Sequence, residues 1–529
     1  MKIKCPYCFG DFHDNQVHFR SEKVVTEDEL ELIYPETYDS FADFEAKYGR
    51  PDKKEIIKKY KAAEFFLARI SEKYQNFWVV YNNNITEQDP KDKFFKVKSY
   101  ERKVIDPSNE EHQKYLKKQS DDSYFIKDKA GMVSKIQLQD GTTCYRRVCP
   151  HCHNPLPEEY GRNEVKFISV IGVGGAGKTV FLSQLLRRME NVGAKVGLTI
   201  SVMNPFTAKF ISDNLIDVKK PLPQGTPPKV FLQPLFYDVE YLDSNQKRKQ
   251  ATFVLYDVAG EVFEMKAVHD FAKFVKHSHG VIVLIDPKQI ELIGQGAYND
   301  TNELNKNVTT VFSSIRTIMN TGSEEKCKKP LAVCVSKTDS LGIKNALGTH
   351  LSNLLLREVS AIKHSETRLS LRKFNASEYN PIADKLADFF SRFMSSINQL
   401  LNTGYQTYAY FGFSALGCET EERDSIDGTK KQFPIGPIIP MRLEEPILWL
   451  FNKLGYIETD CEIHDSDRII IRCPECRSEN YIRLEGDKKK VTIKKGVLGF
   501  GKQVAYYDYQ CGNCNHKFNQ EKRRGRLCQ

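Results

Sequence analysis

Gly172-Val173-Gly174-Gly175-Ala176-Gly177-Lys178-Thr179 is the stretch on which the reading of this chain turns. It fits the pattern Gly-x4-Gly-Lys-Ser/Thr, whose glycines let the backbone wrap a phosphate and aim N–H groups at it. The flanks agree: an apolar run at 165–173 leads in, and a helix-like segment at 180–190 leads out. A helix that starts there sets its positive end against the same anion. On this pattern Gly172, Gly174, Gly175, Ala176, Gly177 and Val180 surround phosphates. Lys178 reaches the β- and γ-phosphates and Thr179 takes Mg²⁺. The competing reading is a chance glycine-rich turn, which the strand–loop–helix context argues against.

From residue 164 onward, short apolar runs alternate with longer polar or amphipathic segments. The runs are 165–173, 252–256, 280–285, 331–335 and 408–413, rich in β-branched residues. Buried parallel strands with covering helices read this way. The expected fold class is α/β, a doubly wound domain over 164–455, closed by an amphipathic helix at 446–454. Segments 351–364 and 382–401 have helical apolar spacing and fall in a long insertion before residue 408. In the N-terminal part, 53–74 reads as one amphipathic helix and 82–91 as a turn-rich loop. Residues 21–143 form an inserted α+β region with no chemical motif.

Fourteen cysteines occur, eight of them in four Cys-x-x-Cys pairs. The expected compartment is the cytoplasm, because no apolar run approaches bilayer length and the N-terminus lacks a signal-peptide stretch. There, paired cysteines indicate metal rather than disulfides. Cys473, Cys476, Cys511 and Cys514 suit one tetrahedral Zn²⁺ in a C-terminal ribbon over 465–520. Cys5, Cys8, Cys149 and Cys152 leave two readings. One is a single split ribbon built from 1–20 and 144–162; the other is two sites finished by His13, His18, His151 or His153. The split ribbon is favoured, because four thiolates close a structural site. Cys144, Cys327, Cys334, Cys418, Cys461 and Cys528 read as ordinary thiols.

The formal charge of +9 is modest for 529 residues. Eleven Lys/Arg against three Asp/Glu fall in 487–529, interleaved with Tyr506, Tyr507, Tyr509 and Phe518. That composition allows nucleic-acid contact. A solvated face or a protein-docking surface is the plainer reading of it.

Four further segments follow the phosphate loop: Thr226, Asp257-Val258-Ala259-Gly260-Glu261, Ser336-Lys337-Thr338-Asp339 and Ser414-Ala415-Leu416. Their order resembles the small-GTPase-like (TRAFAC) class. With the late Glu444-Glu445-Pro446-Ile447-Leu448-Trp449-Leu450, the 164–455 stretch resembles the bacterial Double-GTPase group, second type. The resemblance implies a GTP/GDP-binding, Mg²⁺-dependent hydrolase that acts as a switch in a bacterial multi-protein system, some members being linked to defence. It implies that Asp257 and Thr226 complete the Mg²⁺ shell, that the Gly260 amide senses the γ-phosphate, and that Ala415 meets guanine O6 beside Ser414. Lys337 and Asp339 become the guanine reader. A carboxylate at Asp339 accepts from guanine N1–H and the 2-amino group, a donor pair that adenine lacks. Ser336 departs from the usual Asn. Glu261 stands where related proteins carry a water-orienting Gln, and an ionised carboxylate cannot donate, so slow unaided hydrolysis is expected. Protein partners are expected at the ribbons and insertions. Two rivals remain: a P-loop ATPase with Asp286 as the magnesium-side carboxylate, and a nucleic-acid-binding zinc-ribbon protein with a structural nucleotide.

Overall fold

The structure is a computed structural model. It describes residues 1–33, 46, 53–80, 97–172, 175–223, 233–243, 245, 247–259, 268–287, 290, 301–319, 326–357, 362–363, 373–425, 428–466, 474–476, 481–483, 490–495 and 501–522. Thr226, Gly174, Gly260, Glu261 and Cys473 lie outside these, as does the loop expected at 82–91.

The central unit is a seven-stranded sheet. In chain order it contains β1 (Glu164–Gly172), α1 (Lys178–Lys195), β2 (Thr199–Val202), α2 (Pro205–Asp213), β3 (Leu235–Leu242), β4 (Arg248–Ala259) and α3 (Val268–His277). It continues with β5 (Gly280–Ile285), α4 (Thr301–Met319), β6 (Leu331–Val335), α5 (Leu341–Leu356), α6 (Ala376–Phe393), α7 (Ser395–Gly404), β7 (Tyr408–Gly412) and α8 (Glu445–Lys453). The spatial order is β2-β3-β4-β1-β5-β6-β7. The strands from β4 to β7 are parallel, whereas β2–β3 and β3–β4 pair antiparallel. The five runs expected as parallel strands pair in parallel, and β2 and β3 add an antiparallel edge that makes the sheet mixed. Its strand β3, Leu-Phe-Tyr-Asp-Val-Glu-Tyr-Leu, mixes Tyr, Asp and Glu with apolar residues.

Alternation sorts the sheet into two faces. Val254, Tyr256, Val281, Val283, Val333 and Tyr410 join a core with α3, α4, α7 and the N-terminal region. Phe253, Leu255, Ile282, Leu284, Cys334 and Phe411 join the opposite core with α1 and α8. Strands β5 and β6 are buried at every position, as strands covered on both faces must be.

Some helices differ from their sequence reading. The 53–74 segment is two helices, Lys53–Phe65 and Glu72–Val79, because Ser71 caps the second by accepting from the Tyr74 N–H. The 382–401 stretch is α6 and α7, separated at Met394 with φ −136. The helix expected at 351–364 ends at Leu356, as the last part of α5, which runs from Leu341 and breaks at Gly348, and Ile362–Lys363 is a strand.

The N-terminal region folds around small antiparallel sheets. Lys2–Lys4 pairs with Asp11–His13, and His18–Arg20 lies between Val104–Ile105 and Arg146–Val148. Its core carries a buried ion pair, Arg147 Nη2 to Asp14 Oδ1 at 3.1 Å. The C-terminal region has a four-stranded antiparallel sheet, including Lys490–Lys495 and Gly501–Cys511. Among the described residues no helix is long and apolar enough to cross a membrane.

Candidate functional site

Parallel strands bring their carboxyl ends to one edge of a sheet, and register decides which residues meet there. Ala259 of β4 and Leu284 of β5 both pair with Gly172 of β1. Val335 of β6 pairs with Ile285 and with Gly412 of β7. The segments around 172–179, Asp257, Asp286, Ser336–Asp339 and Ser414 therefore share one edge.

The phosphate loop ends at Gly177, whose φ of +74 only glycine adopts at low cost, and α1 starts at the next residue. Lys178 and Thr179 are buried on the first turn of α1. The Lys178 Nζ lies 2.8 Å from Asp257 Oδ1, and both side chains are almost fully buried. The pair joins the phosphate loop to the end of β4. It places Asp257, not Asp286, at the phosphate-loop lysine.

Asp286 is engaged elsewhere. Lys337 takes a left-handed backbone, φ +53, and donates to Asp286 Oδ2 and to the Gly175 carbonyl, each at 2.7 Å. One side chain thus ties the loop after β6 to the loop after β5 and to the phosphate loop. Ser336, where Asn is usual, donates from its hydroxyl to the Ile285 carbonyl at 3.1 Å. Thr338 is fully buried, and its N–H donates to the Phe413 carbonyl at 3.3 Å, which brings in the loop after β7.

Ser414 accepts at its hydroxyl from the Leu416 and Gly417 N–H groups, a tight turn on residues 414–417. Its backbone also pairs with Met441 in both directions, N–H to carbonyl at 3.1 and 2.9 Å. Asp339 is half-buried at the same edge, near Cys418, whose thiol is raised by burial and by the Asp339 charge. Behind this loop Arg442, φ +55, donates to Glu445 Oε1 at 2.5 Å, and burial raises the Glu445 carboxyl to about 7. Arg188 of α1 donates to Glu444 Oε1 at 2.9 Å, which links the phosphate-loop helix to the base of α8.

The cysteine pairs form a second kind of site. Cys5, Cys8, Cys149 and Cys152 place all four Sγ atoms within 4.8 Å of one another, and no histidine joins the group. The Cys5–Cys152 and Cys8–Cys149 Sγ separations are 3.7 and 3.8 Å. Four thiolates about 2.3 Å from a tetrahedral Zn²⁺ stand about 3.8 Å apart, so the spacing fits that ion. The histidine-finished alternative is corrected: His18 Nδ1 lies 3.2 Å from His153 Nε2, and His151 Nε2 meets the Asp11 carbonyl. In the C-terminal region Cys476, Cys511 and Cys514 cluster in the same way.

Three of the Cys-x-x-Cys turns share one backbone pattern. The N–H of the first cysteine donates five residues ahead: Cys5 to Gly10, Cys149 to Asn154, Cys511 to His516. The N–H two residues on donates to the first sulfur, from Tyr7, His151 and Asn513. The fifth position is left-handed each time, at Phe9, His153 and Asn515. The Cys-x-x-Cys spacing reveals the pairs but not this turn, and not Phe9.

The mixed α/β sheet thus gathers Gly175–Thr179, Asp257, Asp286, Ser336–Asp339 and Ser414 at the carboxyl edge of its parallel strands. Residues 207–392 match the family Double-GTPase 2, the group that the sequence resembles. The match spans Asp257 and Ser336–Asp339 and is narrower than the 164–455 of the resemblance. A relative is the "Putative ESX-1 scaffolding and assembly protein SaeC" of Mycolicibacterium smegmatis, 24% identical over 338 residues, covering 59% of this chain and 80% of the relative. Among solved structures, the S. cerevisiae Ski7 GTPase-like domain bound to GTP is 13% identical, with a TM-score of 0.23 over 66% of this chain; this chain spans 58% of that one. A signal recognition particle receptor complex from Chaetomium thermophilum is 13% identical, with a TM-score of 0.20 over 47% of this chain and 94% of that one.

Proposed function

We propose that this chain is a Mg²⁺-dependent, GTP-binding and GTP-hydrolysing switch in a bacterial multi-protein assembly. The observation that carries the reading is Lys337, which bonds Gly175 and Asp286 at once and so holds a guanine-reading loop against a phosphate loop. Gly172, Gly174, Gly175, Ala176, Gly177 and Val180 would surround the phosphates, with Lys178 moving from Asp257 to phosphate oxygens. Asp257, freed of that partner, Thr179 and Thr226 would hold Mg²⁺, which supplies charge neutralisation at the β- and γ-phosphates. Asp339 would read guanine, with Ser414 and Ala415 beside the base and Gly260 and Glu261 on the γ-phosphate side.

Two structural Zn²⁺ sites complete the assignment, one on Cys5, Cys8, Cys149 and Cys152, the other on Cys473, Cys476, Cys511 and Cys514. The chain divides on this reading into a split N-terminal ribbon at 1–20 and 144–162, an insertion at 21–143, the switch domain at 164–455 and a C-terminal ribbon at 465–520. The name of the relative, a scaffolding and assembly protein, supports protein partners.

The test is phosphate release from GTP by the full chain, with Mg²⁺ and with EDTA, beside Lys178→Met. Slow Mg²⁺-dependent turnover that the variant abolishes is expected. Release that survives Lys178→Met would place hydrolysis elsewhere.

A further inference from the structure

Phe9 occupies the left-handed position of the first cysteine turn, φ +58. The equivalent positions carry His153 and Asn515, and a large aromatic residue is the least expected of the three there. The turn enforces the conformation: the Phe9 N–H donates to the Cys5 carbonyl at 3.1 Å while Cys5 N–H donates to Gly10 at 2.9 Å. It turns the ring away from the sulfurs and into the central unit. The ring centroid lies 5.5 Å from Phe167, 5.8 Å from Tyr256 and 5.4 Å from Phe274, and it stacks on His277 at 4.6 Å. Beside it, the Tyr256 hydroxyl donates to the Pro6 carbonyl at 2.7 Å.

These contacts fall on functional elements. Phe167 is on β1, which runs into the phosphate loop. Tyr256 immediately precedes Asp257, the partner of Lys178. Phe274 and His277 are on α3, the helix that follows the 257–261 segment. A second contact holds the same helix, Lys273 Nζ over the Phe77 ring at 5.2 Å, while Phe77 packs on Tyr7 of the turn at 6.2 Å. One cysteine turn thus grips both flanks of the stretch between Asp257 and α3.

We infer that the N-terminal four-cysteine site regulates the nucleotide switch: a thiophilic divalent ion there locks the 5–10 turn, and through Phe9 and Pro6 the turn fixes the end of β4 and α3. The last step of this inference rests on the GTP-switch reading. Metal occupancy then sets how firmly nucleotide is retained, and by linkage nucleotide changes metal affinity by the same factor. The turn suits this role because its fifth position is held left-handed by the turn's own backbone bonds.

The experiment uses the full chain in three forms: wild type, Phe9→Ala and Cys8→Ser. Zinc content, fluorescent-GDP affinity and amide exchange are read on each. Phe9→Ala is expected to keep the wild-type zinc content while binding GDP about tenfold more weakly, a coupling within the usual range. Cys8→Ser is expected to lose one zinc and to raise exchange in 250–259 and 268–277 but not in 199–202. Tyr256→Phe removes only the bond to Pro6; it serves if Phe9→Ala does not fold, and GDP binding weakened at full zinc content is expected there too. Wild-type GDP affinity in folded, zinc-replete Phe9→Ala, or unchanged exchange after loss of the N-terminal zinc, would overturn the coupling. Wild type that binds no guanine nucleotide, with exchange still raised in Cys8→Ser, would sink the GTP reading and leave the mechanical coupling standing.

Discussion

Asp257→Asn keeps the shape of a buried side chain and removes only its charge, so it isolates the ion pair at the heart of the site. Lys178 Nζ and Asp257 Oδ1 are 2.8 Å apart, with side chains 8% and 2% exposed. At an effective dielectric of 20 their attraction is about 6 kcal/mol before desolvation is counted. Breaking such a pair from one side costs about 3–5 kcal/mol, because the remaining charge stays buried. An asparagine oxygen can still accept from Lys178, which returns about 1 kcal/mol and leaves a net loss of about 3 kcal/mol. For a unit of this size that corresponds to a fall in Tm of roughly 5 °C. The assay is thermal unfolding in EDTA without nucleotide, for Asp257→Asn, Lys178→Met and the double variant. The double is expected to be more stable than the summed losses imply, by about 2 kcal/mol, since it strands neither charge. Strictly additive losses would show that the two side chains do not depend on each other, and the argument for a preformed phosphate site would fail.

Other expectations follow from the same contacts. Arg147→Met strands Asp14 and also removes donors to the Glu158 and Tyr160 carbonyls, so a loss of about 3–5 kcal/mol is expected in denaturant unfolding of the N-terminal region; a change under 1 kcal/mol would contradict it. Glu445 is raised by burial to about 7, so its contribution is full below about 4.5 and is lost as pH rises through 7. Glu445→Gln should therefore gain on wild type by about 3 kcal/mol between pH 4.5 and 8, read from Tm against pH; parallel curves would refute the assignment. Gly417 has φ +73, and a Cβ there would meet the Ile439 carbonyl oxygen at 1.9 Å. Gly417→Ala should open the 414–417 turn, cost about 2 kcal/mol and weaken guanine-nucleotide binding about tenfold in a fluorescence titration; unchanged binding would remove that turn from the base site.

The central sheet was legible in the sequence because its parallel strands are buried on both faces, and Val, Ile and Leu runs such as 280–285 and 331–335 say so directly. The edge hairpin was harder. In β3 the sequence Leu-Phe-Tyr-Asp-Val-Glu-Tyr-Leu alternates only in part. Helix breaks were missed where one residue decides them: apolar spacing continues past Ser71 and Met394, but a cap and a non-helical φ interrupt the backbone. At the site, the loop residues were legible as motifs, while their mutual bonds were not. Asp286 entered only the rival ATPase reading, as its magnesium-side carboxylate; its bond to Lys337 depends on a left-handed backbone that no spacing reveals. Phe9 carried no signal at all, since its neighbours Phe167, Tyr256 and Phe274 are remote in sequence.

The base-specificity of Asp339 is the most direct test of the account. Competition of GDP, ADP and XDP for the fluorescent-nucleotide site should be measured on wild type and Asp339→Asn. Wild type is predicted to prefer GDP strongly over ADP. Asp339→Asn should lose that preference and gain XDP, because an amide donor matches the 2-oxo group that xanthine carries in place of the guanine 2-amino group. Tight ADP binding by wild type, unaltered in Asp339→Asn, would contradict the guanine-switch account at its base.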